Sequence, residues 1–75
     1  MPEVEDMAFR ISAAFEDNYF NAAKRNTFNA VFNRYLSVVD PGATLEPYEA
    51  IVQLGYQHRD EFEQMVKDLK DLALI

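Results

Sequence analysis

The chain of 75 residues contains no cysteine, one histidine and two glycines. Without cysteine there is no disulfide framework and no thiolate metal site. A lone histidine falls short of the nitrogen ligands that a zinc site takes. Two glycines cannot build a phosphate-cradling loop. No apolar run approaches the ~18 residues that suggest a membrane span. The start of the chain, with Glu3, Glu5 and Asp6, is acidic and interrupted, unlike the basic start and apolar run of a secretory leader. Positive charge is also scarce. Thirteen acids face seven bases, for a net charge of −6. Both halves share this sign: residues 1–42 carry six acids and four bases, residues 43–75 seven and three. Such a surface repels nucleic-acid phosphates and favours basic partners. The expectation is a cytoplasmic protein with no direct nucleic-acid or membrane partner.

What is abundant is apolar side chain. The apolar content of 49% includes six Phe and four Tyr, ample for a core and against disorder. Residues 1–75 make one domain at most. A chain this short buries only about 60% of its unfolded surface, so association with a second copy or another protein is a natural way to add burial.

The apolar residues recur at helix spacing. In a first segment, about 3–24, Val4, Met7, Ala8, Ile11, Ala14, Phe15, Tyr19 and Ala22 share a face. Acids at Glu3, Glu5 and Asp6 suit its positive end, and Lys24 and Arg25 its negative end. In a second, about 27–39, the face is Phe28, Val31, Phe32, Tyr35, Leu36, Val38 and Val39. Asn26 or Thr27 is a fitting cap for a new helix there. One long, bent helix through both segments is the alternative. Asp40-Pro41-Gly42 then stops the helix, with glycine suited to left-handed turn geometry, and Pro47 suits the first turn of the next. A third segment, about 47–73, carries Ile51, Gly55, His58, Phe62, Met65, Val66, Leu69, Leu72 and Ala73 on one stripe. Gly55 marks a kink or a close helix crossing, and Glu63 and Lys67 are spaced as an i,i+4 ion pair. No strand-like alternation competes. The fold class is all-α, a small three-helix bundle.

Motifs for chemistry are sparse. His58-x-x-Glu61 is a single motif in reversed order, whereas a di-metal bundle site takes Glu-x-x-His on each of two helices. The acids cluster as Glu3/Glu5/Asp6, Glu16/Asp17, Asp60/Glu61/Glu63 and Asp68/Asp71 without calcium-loop spacing. They read as solvated helix faces. Ser12 and Ser37 lack a nucleophile motif. The small acidic helical character is similar to that of acyl carrier proteins, but their Asp-Ser-Leu tripeptide is missing, so the resemblance is rejected. Arg10, Lys24, Arg25 and Arg34 are too scattered for a nucleic-acid footprint on an acidic chain. A helix-turn-helix would open its recognition helix with Glu46 and Glu49, the wrong sign for phosphate. No catalytic residue, cofactor or metal ligand is therefore assigned, and the chain is read as not an enzyme.

One feature exceeds the needs of a core. On a helix through residues 3–24, Phe9, Ala13 and Phe20 fall within about 40° of one another, nearly opposite the main stripe. Tyr56, projecting from the polar face of the third helix beside Asp60 and Glu63, offers a second anchor, since tyrosine is enriched at interfaces. The function expected is a non-enzymatic protein-binding module: an adaptor, regulator or inhibitor of the general build of small phage-encoded ones. Its partner presents a basic or apolar groove. Two alternatives stand beside it. One is a nucleic-acid mimic that inhibits a DNA- or RNA-binding protein. The other is a self-assembling structural subunit, a homo-oligomer.

Overall fold

The computed structural model describes residues 2–75. Among them there are four helices and no strand: α1 (Pro2–Asp17), α2 (Ala22–Leu36), α3 (Pro47–Gln57) and α4 (Arg59–Asp71). The radius of gyration is 11.2 Å, matching the about 11 Å of a compact chain this long. α1 packs mainly on α3, α3 on α4, and α2 on α4 and, less closely, on α3. The core takes Val4, Ala8 and Ile11 from α1, Phe28, Val31, Phe32, Tyr35 and Leu36 from α2, Ala50, Ile51 and Leu54 from α3, and Phe62, Met65 and Leu69 from α4. These are largely the expected stripes.

The helix boundaries depart from expectation, each for a local reason. α1 stops at Asp17 and not near Lys24. The side chain of Asn18 folds back, its Nδ2 donating to the Ala14 carbonyl at 2.8 Å. Asn21 then adopts an extended backbone and its side chain accepts from the Lys24 amide at 3.1 Å, capping α2. The two helices are thus separate, and the break lies about five residues before the expected cap at Asn26 or Thr27. Thr27 sits inside α2, where its hydroxyl donates to the Ala23 carbonyl at 2.9 Å. Lys24 and Arg25 consequently lie at the start of α2, the end where the dipole disfavours them. Arg25 is compensated locally: Nη1 donates to the Tyr19 carbonyl at 2.7 Å and the guanidinium lies 5.4 Å from the Tyr19 ring centroid.

α2 ends at Leu36, so Val38 falls outside the stripe and is half-exposed. The loop that follows is organised by Asp40. Its Oδ1 accepts from the Thr44 amide at 2.9 Å and its Oδ2 from the Leu45 amide at 3.0 Å. Those two amides, Thr44 foremost, hold the carboxyl below the usual carboxylate range. The left-handed residue of this loop is Ala43, with φ 51°, not Gly42.

The third expected helix is two. His58 has φ −140° and ψ 71° and joins α3 to α4. Its amide still donates to the Leu54 carbonyl at 2.8 Å, and its carbonyl already accepts from the Phe62 amide at 3.0 Å. Backbone bonding is therefore nearly continuous while the axis turns. The turn lets α3 lie on α1 while α4 reaches α2. α4 ends at Asp71, two residues before the expected Ala73. Ala73 is left-handed (φ 57°). Its amide donates to the Lys70 carbonyl and that of Leu74 to the Leu69 carbonyl, both at 2.9 Å. This is a Schellman arrangement, and it buries Leu74 while leaving Leu72 half-exposed.

Two contacts fix how the helices sit. Gly55 lies against α1: a Cβ there would stand 2.5 Å from Val4 Cγ1 and 3.3 Å from Phe62 Cδ1. On the other side of the molecule the Tyr35 hydroxyl of α2 donates to Asp68 of α4. Asp68 also accepts from Gln64 Nε2 at 2.9 Å. The bond from Tyr35, then that from Gln64, lowers the Asp68 pKa. The same bond, with burial, raises that of Tyr35.

Gly55→Ala is expected to destabilise. The helix-propensity gain of about 1 kcal/mol is outweighed by overpacking of roughly 1–3 kcal/mol. Each net kcal/mol lowers the thermal midpoint by roughly 4–8 °C. Combined with Val4→Ala the loss should be less than the sum of the single losses; strictly additive losses would contradict the close crossing.

For Tyr35→Phe the sign follows from linkage. The folded pKa of Asp68 lies below its unfolded value, so its contribution is complete above the ordinary carboxylate range and is lost as pH falls through the folded value. Tyr35 is the converse: its contribution is complete below its unfolded pKa and is lost as pH rises through the raised one. The stability gap between parent and variant, measured by urea unfolding, should be widest near neutral pH and close towards both acid and alkali. A gap unchanged down to strong acid would exclude the coupling.

Candidate protein-binding surface

Phe9 lies on the outer side of α1 and is 69% exposed, while Ala13, one turn on, is half-buried. Phe20 is 95% exposed. It does not extend the helical line of Phe9 and Ala13, because α1 has ended at Asp17 and residues 18–20 form a turn. It projects from that turn beside the Tyr19 ring. Phe20 meets Tyr19 edge-on at 5.5 Å, and Tyr19 meets Phe15 edge-on at 5.7 Å. Phe15 in turn packs against Phe28 at 5.6 Å and Phe32 at 5.3 Å. A chain of rings thus runs from the core of α2 to the surface beyond α1. Tyr19, expected on the core stripe, is 47% exposed for the same reason.

The second expected anchor is arranged differently. The Tyr56 hydroxyl donates to the Glu5 carboxylate at 3.0 Å, tying α3 to α1. Glu63 does not pair with Lys67. It accepts from Arg59 Nε at 3.1 Å, and Lys67 pairs with Asp71 at 2.7 Å. Arg59 Nη2 also reaches Glu3 of α1 at 3.0 Å. These bonds, Glu63 foremost, raise the Arg59 pKa, and Asp71 raises that of Lys67. Arg59 Nη1 is buried without a hydrogen-bond acceptor, and the guanidinium rests 5.5 Å from the Phe62 centroid. Asp60 is exposed in the first turn of α4. The His58 junction separates Tyr56 from Asp60 and Glu63, so the three do not share one helical face.

Two grooves of similar size flank α1. Between α1 and α4 lies one of about 460 Å³, with Met7, Phe62 and Val66 on its floor and Arg59, Glu63 and Lys67 on its rim. Between the end of α1 and the start of α3 lies one of about 450 Å³. Its apolar wall is Phe15, Tyr19 and Tyr48, and Glu16 and Glu46 also line it. The Ser12 hydroxyl at its edge is spent on the Ala8 carbonyl. Tyr48 and Glu46 of this second groove carry no sequence signal for α1. They reach it only because the loop around Asp40 brings the start of α3 beside the end of α1.

His58 is at the helix junction, with its side chain 40% exposed and Nδ1 3.9 Å from Glu61. Among the described residues no three His, Cys, Asp or Glu side chains are grouped as metal ligands, and no helix is long and apolar enough to cross a membrane. Comparison with protein-family models, curated proteins and solved structures gives no match for this chain.

The exposures of Phe9 and Phe20 generate a stability prediction. Phe9→Ser and Phe20→Ser should each leave unfolding free energy within about 0.5 kcal/mol of the parent. Phe28→Ala, at a fully buried ring, should cost about 3–5 kcal/mol. Denaturant melts of the three variants decide it; unfolding on replacement of Phe9 or Phe20 would return those rings to the core.

Proposed function

We propose that this protein is a non-enzymatic protein-binding module that docks exposed aromatic side chains of the α1 region on a partner protein. The observation that carries the reading is the exposure of Phe20 and Phe9, 95% and 69%. Phe20 projects beyond Tyr19, which itself packs edge-on against Phe15, so nearly all of its apolar area is open to a partner. Two largely exposed phenylalanines in and just after one helix of a chain this small present more apolar surface than a lone exposed ring. The net charge of −6 steers a basic partner surface towards the molecule. It opposes self-assembly, since two copies repel. A cytoplasmic setting suits the reading.

Mimicry of nucleic acid fits less well. A phosphate-like row needs evenly spaced uncompensated carboxylates, and the α3–α4 stretch is bent at His58. Glu63 and Asp71 in that stretch are neutralised by Arg59 and Lys67.

Phe9→Asp combined with Phe20→Asp should abolish capture of the partner from native lysate while circular dichroism keeps the parent's helix content. Undiminished capture by the folded variant would end this reading. A parent protein that sediments as a stable oligomer across a dilution series would replace it with self-assembly.

A further inference from the structure

The surface grooves differ in how their charges are balanced; in the one beside the Asp40 loop the single carboxylate, Asp40, is taken by the Thr44 and Leu45 amides. In the α1–α4 groove, acids and bases alternate and pair with each other: Arg59 with Glu3 and Glu63, Lys67 with Asp71. In the α2–α4 groove, Arg34 faces Asp68 and Asp71, and Asp68 is bonded to Tyr35. The α1–α3 groove is lined by two carboxylates, Glu16 and Glu46, and by no base. Among the described residues neither carboxylate side chain is in an ion pair or a hydrogen bond. Their negative charge is left for something outside the chain.

The wall beside those carboxylates is aromatic. Tyr19 and Tyr48 are 47% and 38% exposed, with Phe15 behind them. An aromatic wall with acids on its margin suits a guanidinium, which stacks flat on a ring while its edge donates to carboxylate. The chain already uses this chemistry at the same ring: Arg25 lies 5.4 Å from the Tyr19 centroid. Phe20 lies outside the groove lining but stands against Tyr19 at 5.5 Å, an exposed apolar surface next to it. Guanidinium sites beside an apolar shoulder match a segment with arginine on one side and apolar residues on the other.

We infer that the α1–α3 groove receives an arginine side chain from a basic amphipathic segment of a partner protein, its guanidinium held between Tyr19, Tyr48, Glu16 and Glu46, with Phe20 seated on the segment's apolar residues. The inference rests on the protein-binding reading and names the partner's chemistry. A second copy of the chain is a poor occupant, because its net charge of −6 repels the groove.

The probe is a synthetic helical peptide with leucine on one face and arginine on the other, paired with a version carrying uncharged, near-isosteric citrulline. Both are titrated into the full chain labelled with nitrogen-15 and followed by amide chemical shifts. The arginine peptide should shift the amides of Glu16, Tyr19, Glu46 and Tyr48. Citrulline, or Glu16→Gln combined with Glu46→Gln in the protein, should each weaken binding roughly tenfold, and added salt should weaken it too. Both glutamates are exposed, so the variant keeps its fold, which its unaltered amide spectrum elsewhere will report. Equal binding of the citrulline peptide, shifts centred on the α1–α4 groove, or no binding would each overturn the inference. These failures are separable from failure of the protein-binding reading: the citrulline peptide and the glutamate variant test the groove alone, whereas partner capture by the Phe9 and Phe20 variant tests the protein-binding reading.

Discussion

Where α3 crosses α1 there is room for a hydrogen atom and nothing larger: Val4 occupies the space a side chain on residue 55 would need. Much of the architecture depends on that contact. It holds α1 flat on α3, buries Val4, Ala8 and Ile11, and leaves the opposite side of α1 with nothing against it. It also fixes the direction of α3, so the chain has to turn before α4 can pack on α2. His58 takes that turn with almost no loss of backbone bonding, since its own amide and carbonyl both find helix partners. A chain of this size has little burial in reserve, and one glycine placed at a crossing gives close helix approach without a staple.

The aromatic residues link the core to the surface. Phe28 and Phe32 are buried, Phe15 is half-buried, Tyr19 is half-exposed and Phe20 is almost wholly exposed. Each ring meets the next edge to face or tilted. Tyr19 is therefore braced by the interior, while Phe20 extends beyond it into solvent. Such bracing lowers the entropy lost when a surface group is immobilised in a complex, so the same packing that stabilises the α1–α2 corner prepares it as a contact surface.

Charge is distributed unevenly around this frame. On the α4 side, Arg59 and Lys67 are absorbed by Glu3, Glu63 and Asp71. These pairs are exposed and contribute little to stability; their effect is to balance acids against bases along the α1–α4 groove. At the α1–α3 groove the acids stand without lining bases. Net charge alone says that the chain is acidic. Which part of the surface presents that acidity follows from the pairing.

The alternation of apolar and polar residues at a 3.6-residue period determined the helical class and nearly the whole core, because burial of one face needs only local periodicity. The exposure of Phe9 was equally legible, since α1 does run through residue 9. Phe20 was expected outside the core for a wrong reason: it projects from a turn, not a helix line. Sequence pattern could not place that turn. Asn18, Asn21, Asn26 and Thr27 are all fit to end or begin a helix; in the structure Asn18 and Asn21 do so, and Phe15 and Phe28 meet across the corner this makes. The break at His58 had no local mark beyond Gly55 three residues earlier. It exists because α1 and α2 pull the two halves of one apolar stripe in different directions. The groove of Tyr19, Tyr48, Glu16 and Glu46 belongs wholly to tertiary structure. Periodicity reports which side of a helix is buried, whereas the meeting of residues some thirty positions apart depends on how the helices cross.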